Sequence, residues 1–179
     1  MKVLCFGATG VQGSPVAIQL KQRNHDVRVI VRDIKRASEF EENGMEVVRG
    51  DLLDSDSLRL ASAGTDAIFL VLPLVYDEEL ILPYFQNVLS AAQQTNIKLL
   101  VFNTSTRVPE MSTNVWAFEL KREMEQCLVQ SEVPFIVVRP TFYMENLLGP
   151  WTMNSVMQRK IVAYTLEADR KASWISAWD

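Results

Sequence analysis

Gly7-Ala8-Thr9-Gly10-Val11-Gln12-Gly13 constrains this chain more than any other stretch. It follows the apolar run Val3-Leu4-Cys5-Phe6, which reads as a buried strand. It opens the segment Ser14–Gln22, where Val16, Ala17 and Leu20 fall at helical spacing and Pro15 suits a first turn. A glycine in such a turn removes a Cβ clash, and another lets the backbone approach a phosphate. The last allows helix and strand to pack closely. The helix N-terminus behind the loop then offers unpaired N–H groups and a partial positive charge. Glycines three apart would also suit a plain structural turn. Their place between a strand and a helix, at the head of a βαβ unit, points to a phosphate-cradling loop.

The rest of the chain repeats that alternation. Val27–Val31, Glu46–Val48, Ile68–Leu72, Lys98–Phe102 and Phe135–Val138 read as further strands. Between them, Ala37, Phe40 and Met45 flank a short helix, and Asp54 or Ser55 could cap a helix through Leu58–Ala61. Glu78–Thr95 reads as a long helix, and Val115, Phe118, Met124 and Leu128 fit one amphipathic helix. Runs apolar on both faces and separated by helices predict an α/β fold, a doubly wound parallel sheet (Rossmann fold) with helices on both faces. Right-handed crossovers then place ligands in the crevice at the strands' carboxyl ends. Residues 1–150 are expected to form this dinucleotide-binding domain, and 151–179 the start of a further region. In the latter, Gly149-Pro150 reads as a break, Ser155–Lys160 as a short helix, and Ile161–Tyr164 and Ser173–Ile175 as short strands.

Cofactor choice turns on Arg32 and Asp33, side by side after the second strand. An Asp there would accept the adenosine ribose hydroxyls and favour NAD(H). An Arg would hold the 2′-phosphate of NADP(H) through charge-assisted hydrogen bonds. Lys35 and Arg36 add positive charge nearby, so NADP(H) is the expected cofactor and NAD(H) the alternative. As a bland reading, the pair is a solvated strand end. Asp51-Leu52 after the third strand could border the adenine, and Asp51 could also cap the turn. Leu72-Pro73 and Asn103-Thr104 end the fourth and fifth strands, where their backbones would line the crevice.

Four stretches together resemble the NmrA-like branch of the atypical short-chain dehydrogenases/reductases: the glycine loop, Val31-Arg32-Asp33, Gly50-Asp51-Leu52-Leu53-Asp54, and Arg139-Pro140-Thr141-Phe142-Tyr143-Met144-Glu145-Asn146. The resemblance implies that Gly7, Thr9, Gly10, Val11, Gln12, Gly13 and Arg32 hold the dinucleotide. It also implies that Pro140–Tyr143 pass its nicotinamide end. Lys121 matches a family lysine that contacts the nicotinamide ribose or takes part in catalysis. Ordinary short-chain dehydrogenases use a Tyr-x-x-x-Lys pair, but the residue four before Lys121 is Ala117, which removes the usual general acid. Atypical members reduce substrates without it, because hydride chemistry belongs to the cofactor. Others sense the NADP(H) redox state and bind a regulatory protein partner. The resemblance therefore implies an NADPH-dependent reductase of a quinone or similar small conjugated carbonyl, with a non-catalytic redox-sensing regulator as the alternative.

Composition excludes other classes. Net charge is −4 and no Lys/Arg run exceeds a pair, so a nucleic-acid surface is not expected. No stretch approaches the ~18 apolar residues of a membrane span, and no signal peptide is apparent, so a cytoplasmic location is expected. Cys5 and Cys127 read as packing residues, the single His25 as a solvated turn residue, and no metal set stands out. Trp151, Trp174 and Trp178 lie in a tail with nothing after it to cover them, as in a shortened family member. That tail is expected to pack on another subunit, as a homo-oligomer, or to lack order.

Overall fold

The computed structural model describes residues 1–75, 77–162, 164 and 169–179. Six strands, β1 (Lys2–Cys5), β2 (Asp26–Val31), β3 (Glu46–Arg49), β4 (Ala67–Val71), β5 (Leu99–Asn103) and β6 (Phe135–Val138), form one parallel sheet in the order β3-β2-β1-β4-β5-β6. The helices α1 (Gly13–Gln22), α2 (Ser38–Glu42), α3 (Ser55–Ser62), α4 (Glu78–Gln94) and α5 (Trp116–Gln130) connect them. The expected doubly wound sheet is therefore present, with strand bounds within a residue or so of the periodicity reading. Its order reverses between β1 and β4, which opens a crevice above the carboxyl ends of those strands.

The period-2 alternation of strand side chains divides the core in two. Leu4, Phe6, Ile30, Ile68, Leu70, Leu100 and Phe102 face Leu58, Phe85, Val88, Met124 and Leu128 of α3–α5. On the other face, Val3, Cys5, Val27, Val29, Val31, Phe69 and Val71 meet Ala17, Phe40 and Met45 from α1, α2 and the turn after α2. Full burial of a Leu or Phe side chain contributes roughly 2–3 kcal/mol, so this double layer holds the loops above it. Asp54 caps α3 by accepting from Ser57 N–H at 3.1 Å, which settles the choice between Asp54 and Ser55.

Three expectations beyond β6 need correction. Gly149-Pro150 does not break the chain; it starts α6 (Pro150–Arg159), because a proline at N1 forfeits no helical hydrogen bond. Ile161, Val162 and Tyr164 form no strand, and Ala163 lies outside the described residues. Trp174 is not left without cover. Strand β8 (Trp174–Ile175) pairs in parallel with β7 (Phe142–Tyr143), and the Trp174 ring lies 5.6 Å from Phe142 and 5.1 Å from Tyr164. Trp151 and Trp178 do remain exposed, at 65% and 52%. Among the described residues no helix is long and apolar enough to cross a membrane.

Candidate functional site

The crevice at the switch point is a cleft of 1510 Å³. Every strand from β1 to β5 delivers its following loop to it, because parallel strands point their carboxyl ends the same way. Gly7, Thr9, Gly10, Val11, Gln12, Gly13, Arg32, Asp51, Leu52, Leu72, Pro73, Asn103, Thr104, Lys121 and Tyr143 all line it. Pro140, the remaining residue singled out from the sequence, is buried and not part of the lining. The chain is held against β5 just before it, where Thr104 N–H donates to Val138 O at 3.0 Å.

The glycine loop is built by two close approaches. Gly7 adopts φ +68°, and a Cβ there would sit 2.6 Å from Val71 Cγ1. A Cβ on Gly13 would sit 2.3 Å from Gly7 O, so α1 can start where it does only without a side chain. Gly10 N–H donates to Gly7 O at 2.9 Å and Ser14 N–H to Gly10 O at 3.0 Å. The N–H groups of Val11, Gln12 and Gly13 take no partner among the described residues, and α1 has neither a side-chain cap nor an acidic first turn. That end of α1 therefore carries unsatisfied donors and a partial positive charge into the cleft.

Arg32 and Asp33 point to different tasks. Asp33 Oδ1 accepts from Lys35 N–H at 3.1 Å and caps a turn of 3-10 helix (Ile34–Arg36). It does not line the cleft. Arg32 does, and has no hydrogen-bond or ion-pair partner among the described residues. Lys35 and Arg36 are exposed outside the lining. Asp51 fills its turn-capping role, accepting from Leu53 N–H at 2.9 Å, while still bordering the cleft.

At the other end the cleft is lined by α5 and the segment after β6. Lys121 is half-buried there without an anionic partner among the described residues, and burial pushes its ammonium below the ordinary lysine range. Asn103 is buried at the end of β5. Its Oδ1 accepts from Ser105 N–H at 2.8 Å, and its Nδ2 donates to Tyr143 Oη at 3.0 Å and to Gln12 Oε1 at 3.4 Å. Burial pushes the Tyr143 phenol above its ordinary range, the Glu145 charge adds to this, and the Asn103 hydrogen bond opposes it. Thr104 turns its hydroxyl to backbone, at 2.7 Å from Thr106 O and 3.1 Å from Val138 O, so its own side chain offers the cleft little.

Sequence reasoning missed the apolar half of the cleft. Trp116, Leu120 and Met124, spaced by four along α5, line it together with Tyr84, Leu148 and Trp151. The spacing was visible, but a stripe of that kind reads first as core. The cysteines lie elsewhere, and burial pushes the Cys5 thiol up to about 12 and the Cys127 thiol upward too, with Glu123 adding to the latter. His25 also lies outside the lining.

Comparison with known proteins agrees with the fold. The NAD(P)H azoreductase of Xenophilus azovorans is 28% identical over 180 residues, covering 99% of this chain and 59% of that protein. The triphenylmethane reductase of Citrobacter sp., solved with NADP(H), superposes with a TM-score of 0.76 at 22% identity, over 88% of this chain and 55% of that one. The NADPH-dependent quinone oxidoreductase of Escherichia coli, solved with NADPH, gives 0.73 at 24% identity, over 88% and 53%. The chain thus spans about half the length of the relatives it matches. A profile of the NmrA-like family matches residues 1–179, and the chain belongs to that family.

Proposed function

We propose that this chain binds NADP(H) and forms the dinucleotide-binding part of a reductase whose acceptor is a quinone or a similar small conjugated carbonyl. The observation that carries the reading is the division of labour between Arg32, free and facing the cleft, and Asp33, committed to its own turn. A carboxylate held that way is a poor ribose clamp, whereas an unpaired guanidinium is suited to a phosphate. The name of the azoreductase relative supports the same cofactor class.

In this reading the free N–H groups at the head of α1 bind the pyrophosphate, and Arg32 binds the 2′-phosphate. Asp51 and Leu52 border the adenine. Leu72, Pro73, Asn103 and Thr104 line the path towards the redox end, and Lys121 supplies a cation there whose missing partner a bound anionic ligand would replace. Bound NADPH supplies the hydride. The apolar stretch along Trp116, Leu120 and Met124 excludes water and takes a flat, conjugated acceptor.

Calorimetric titration with NADPH and NADH tests the cofactor. Wild-type protein should prefer NADPH, and Arg32→Ala should weaken NADPH binding by roughly tenfold to a hundredfold while leaving NADH unchanged. Gly10→Asp should abolish both by placing a carboxylate among the phosphate donors. Absence of binding to either dinucleotide overturns the reading. Binding without NADPH oxidation across a panel of quinones overturns its reductase half and leaves a cofactor-sensing role.

A further inference from the structure

Tyr143 and Asn103 make a directed pair whose use the cofactor site does not account for. An amide side chain can point either way, but Asn103 has its orientation fixed: Ser105 N–H donates to Oδ1, so Nδ2 must face Tyr143. Asn103 therefore donates and the phenol oxygen accepts. The phenol's own proton is left over, and among the described residues it has no acceptor. Tyr143 lines the cleft, so that proton is available to a molecule bound there.

We propose that Tyr143 donates its hydroxyl proton to the substrate atom that becomes negatively charged on reduction, with Asn103 as the residue that positions it. This rests on the reductase reading above. Hydride from a dihydronicotinamide adds to the conjugated acceptor, and the carbonyl π pair moves onto oxygen. That oxygen forms a bond to the Tyr143 proton, and the O–H electron pair stays on the phenol as phenolate. Water then returns the proton. The Asn103 Nδ2–H bond becomes stronger as charge appears on the phenol oxygen, so it assists the transfer rather than the resting state. A phenol is protonated at neutral pH, as a donor must be, and burial moves the Tyr143 ionisation further up. The other hydroxyls near it differ: Thr104 faces two carbonyls, and Tyr164, which also lines the cleft, accepts from Asn146 Nδ2 at 3.1 Å, but among the described residues no second bond fixes the Asn146 amide in that orientation.

The decisive experiment needs no turnover. 4-Nitrophenolate, a stable oxyanion on an aromatic ring, is titrated calorimetrically into the wild-type protein and into Tyr143→Phe, with and without NADP⁺. Tyr143→Phe keeps the ring and its packing, and should weaken phenolate binding by roughly tenfold to a hundredfold both with and without NADP⁺, which separates the effect from any change in cofactor affinity. Asn103→Asp keeps the acceptor for Ser105 but removes the donor. It should move the Tyr143 ionisation, read at 295 nm against Tyr143→Phe, to higher pH, and should lower phenolate affinity by a similar factor. Equal phenolate affinity in wild type and Tyr143→Phe overturns the proposal, as does a loss found only in Lys121→Met. An unmoved tyrosine titration in Asn103→Asp removes Asn103 from it. If wild-type protein binds NADPH yet never oxidises it, the reductase reading fails, and the phenolate titration still decides whether Tyr143 is an oxyanion donor.

Discussion

Gly10 and Gly13 stand three residues apart in one loop, yet a methyl group added at each meets different surroundings. At Gly13 it would press into the Gly7 carbonyl at 2.3 Å, whereas at Gly10 its nearest neighbour is the same oxygen at 3.3 Å, with the cleft open beyond. Gly13→Ala should therefore cost about 1–3 kcal/mol of stability, as overpacking against rigid backbone does. Gly10→Ala should leave stability within about 0.5 kcal/mol and instead weaken dinucleotide binding. Urea unfolding of both variants beside an NADPH titration separates the two roles, and equal destabilisation would show that Gly10 also serves the fold. The spacing of these glycines marks the loop in the sequence, but which one serves packing and which the ligand depends on where β4 and Gly7 lie. The same limit hid the bonds of Asn103, whose partners Gln12 and Tyr143 are 91 and 40 residues away. Arg32 and Asp33 were legible as a pair. Their division of labour was not, because it depends on a turn formed only after β2 ends.

Strands β7 and β8 form a two-residue ladder, too short to hold by backbone pairing alone. What secures it is Glu145, which accepts from Ser176 Oγ at 2.6 Å and from Ala177 N–H at 3.1 Å, and so ties the last residues to the rim of the cleft. Gln19 Nε2 adds a bond to Trp178 O. Burial alone would raise the Glu145 carboxyl, but hydrogen bonds from Ser176, from its own backbone N–H and from Ala177 together outweigh it and hold the group below its ordinary range. A carboxyl depressed in the folded state contributes fully above its unfolded value of about 4.3 and loses that contribution as pH falls through the lower folded value. Amide exchange at Ala177 and Trp178, corrected for intrinsic rates, should thus accelerate below about pH 4. Glu145→Gln should show faster exchange already at pH 7, by roughly threefold to tenfold. Exchange that is the same in both proteins at pH 7 would leave the ladder and ring contacts as the whole of the clamp. None of this was visible in a tail rich in tryptophan, because the cover for Trp174 comes from Phe142, 32 positions earlier in β7.

Across the whole sheet the two faces are covered unequally. Helices α3–α5 lie over one face, and Leu100 and Phe102 are fully enclosed there. On the other face α1 and α2 cover β1–β4, while on β6 Ile136 and Val138 stay 51% and 40% exposed. The sequence pattern of β6 is as apolar as that of β4, so periodicity predicted burial on both sides for each; position in the strand order decides it, and that order is a property of the assembled chain. The consequence is measurable. Leu100→Ala removes a side chain with no exposure and should cost about 2–5 kcal/mol. Ile136→Thr, one strand further out, keeps the β-branched shape and should cost no more than about 0.5 kcal/mol. Denaturant midpoints at equal m-values would report both directly. A cost of more than about 2 kcal/mol at Ile136 would mean that the outer face of β6 is buried in solution, by a second copy or another segment, and that the sheet is covered there by something outside the described residues.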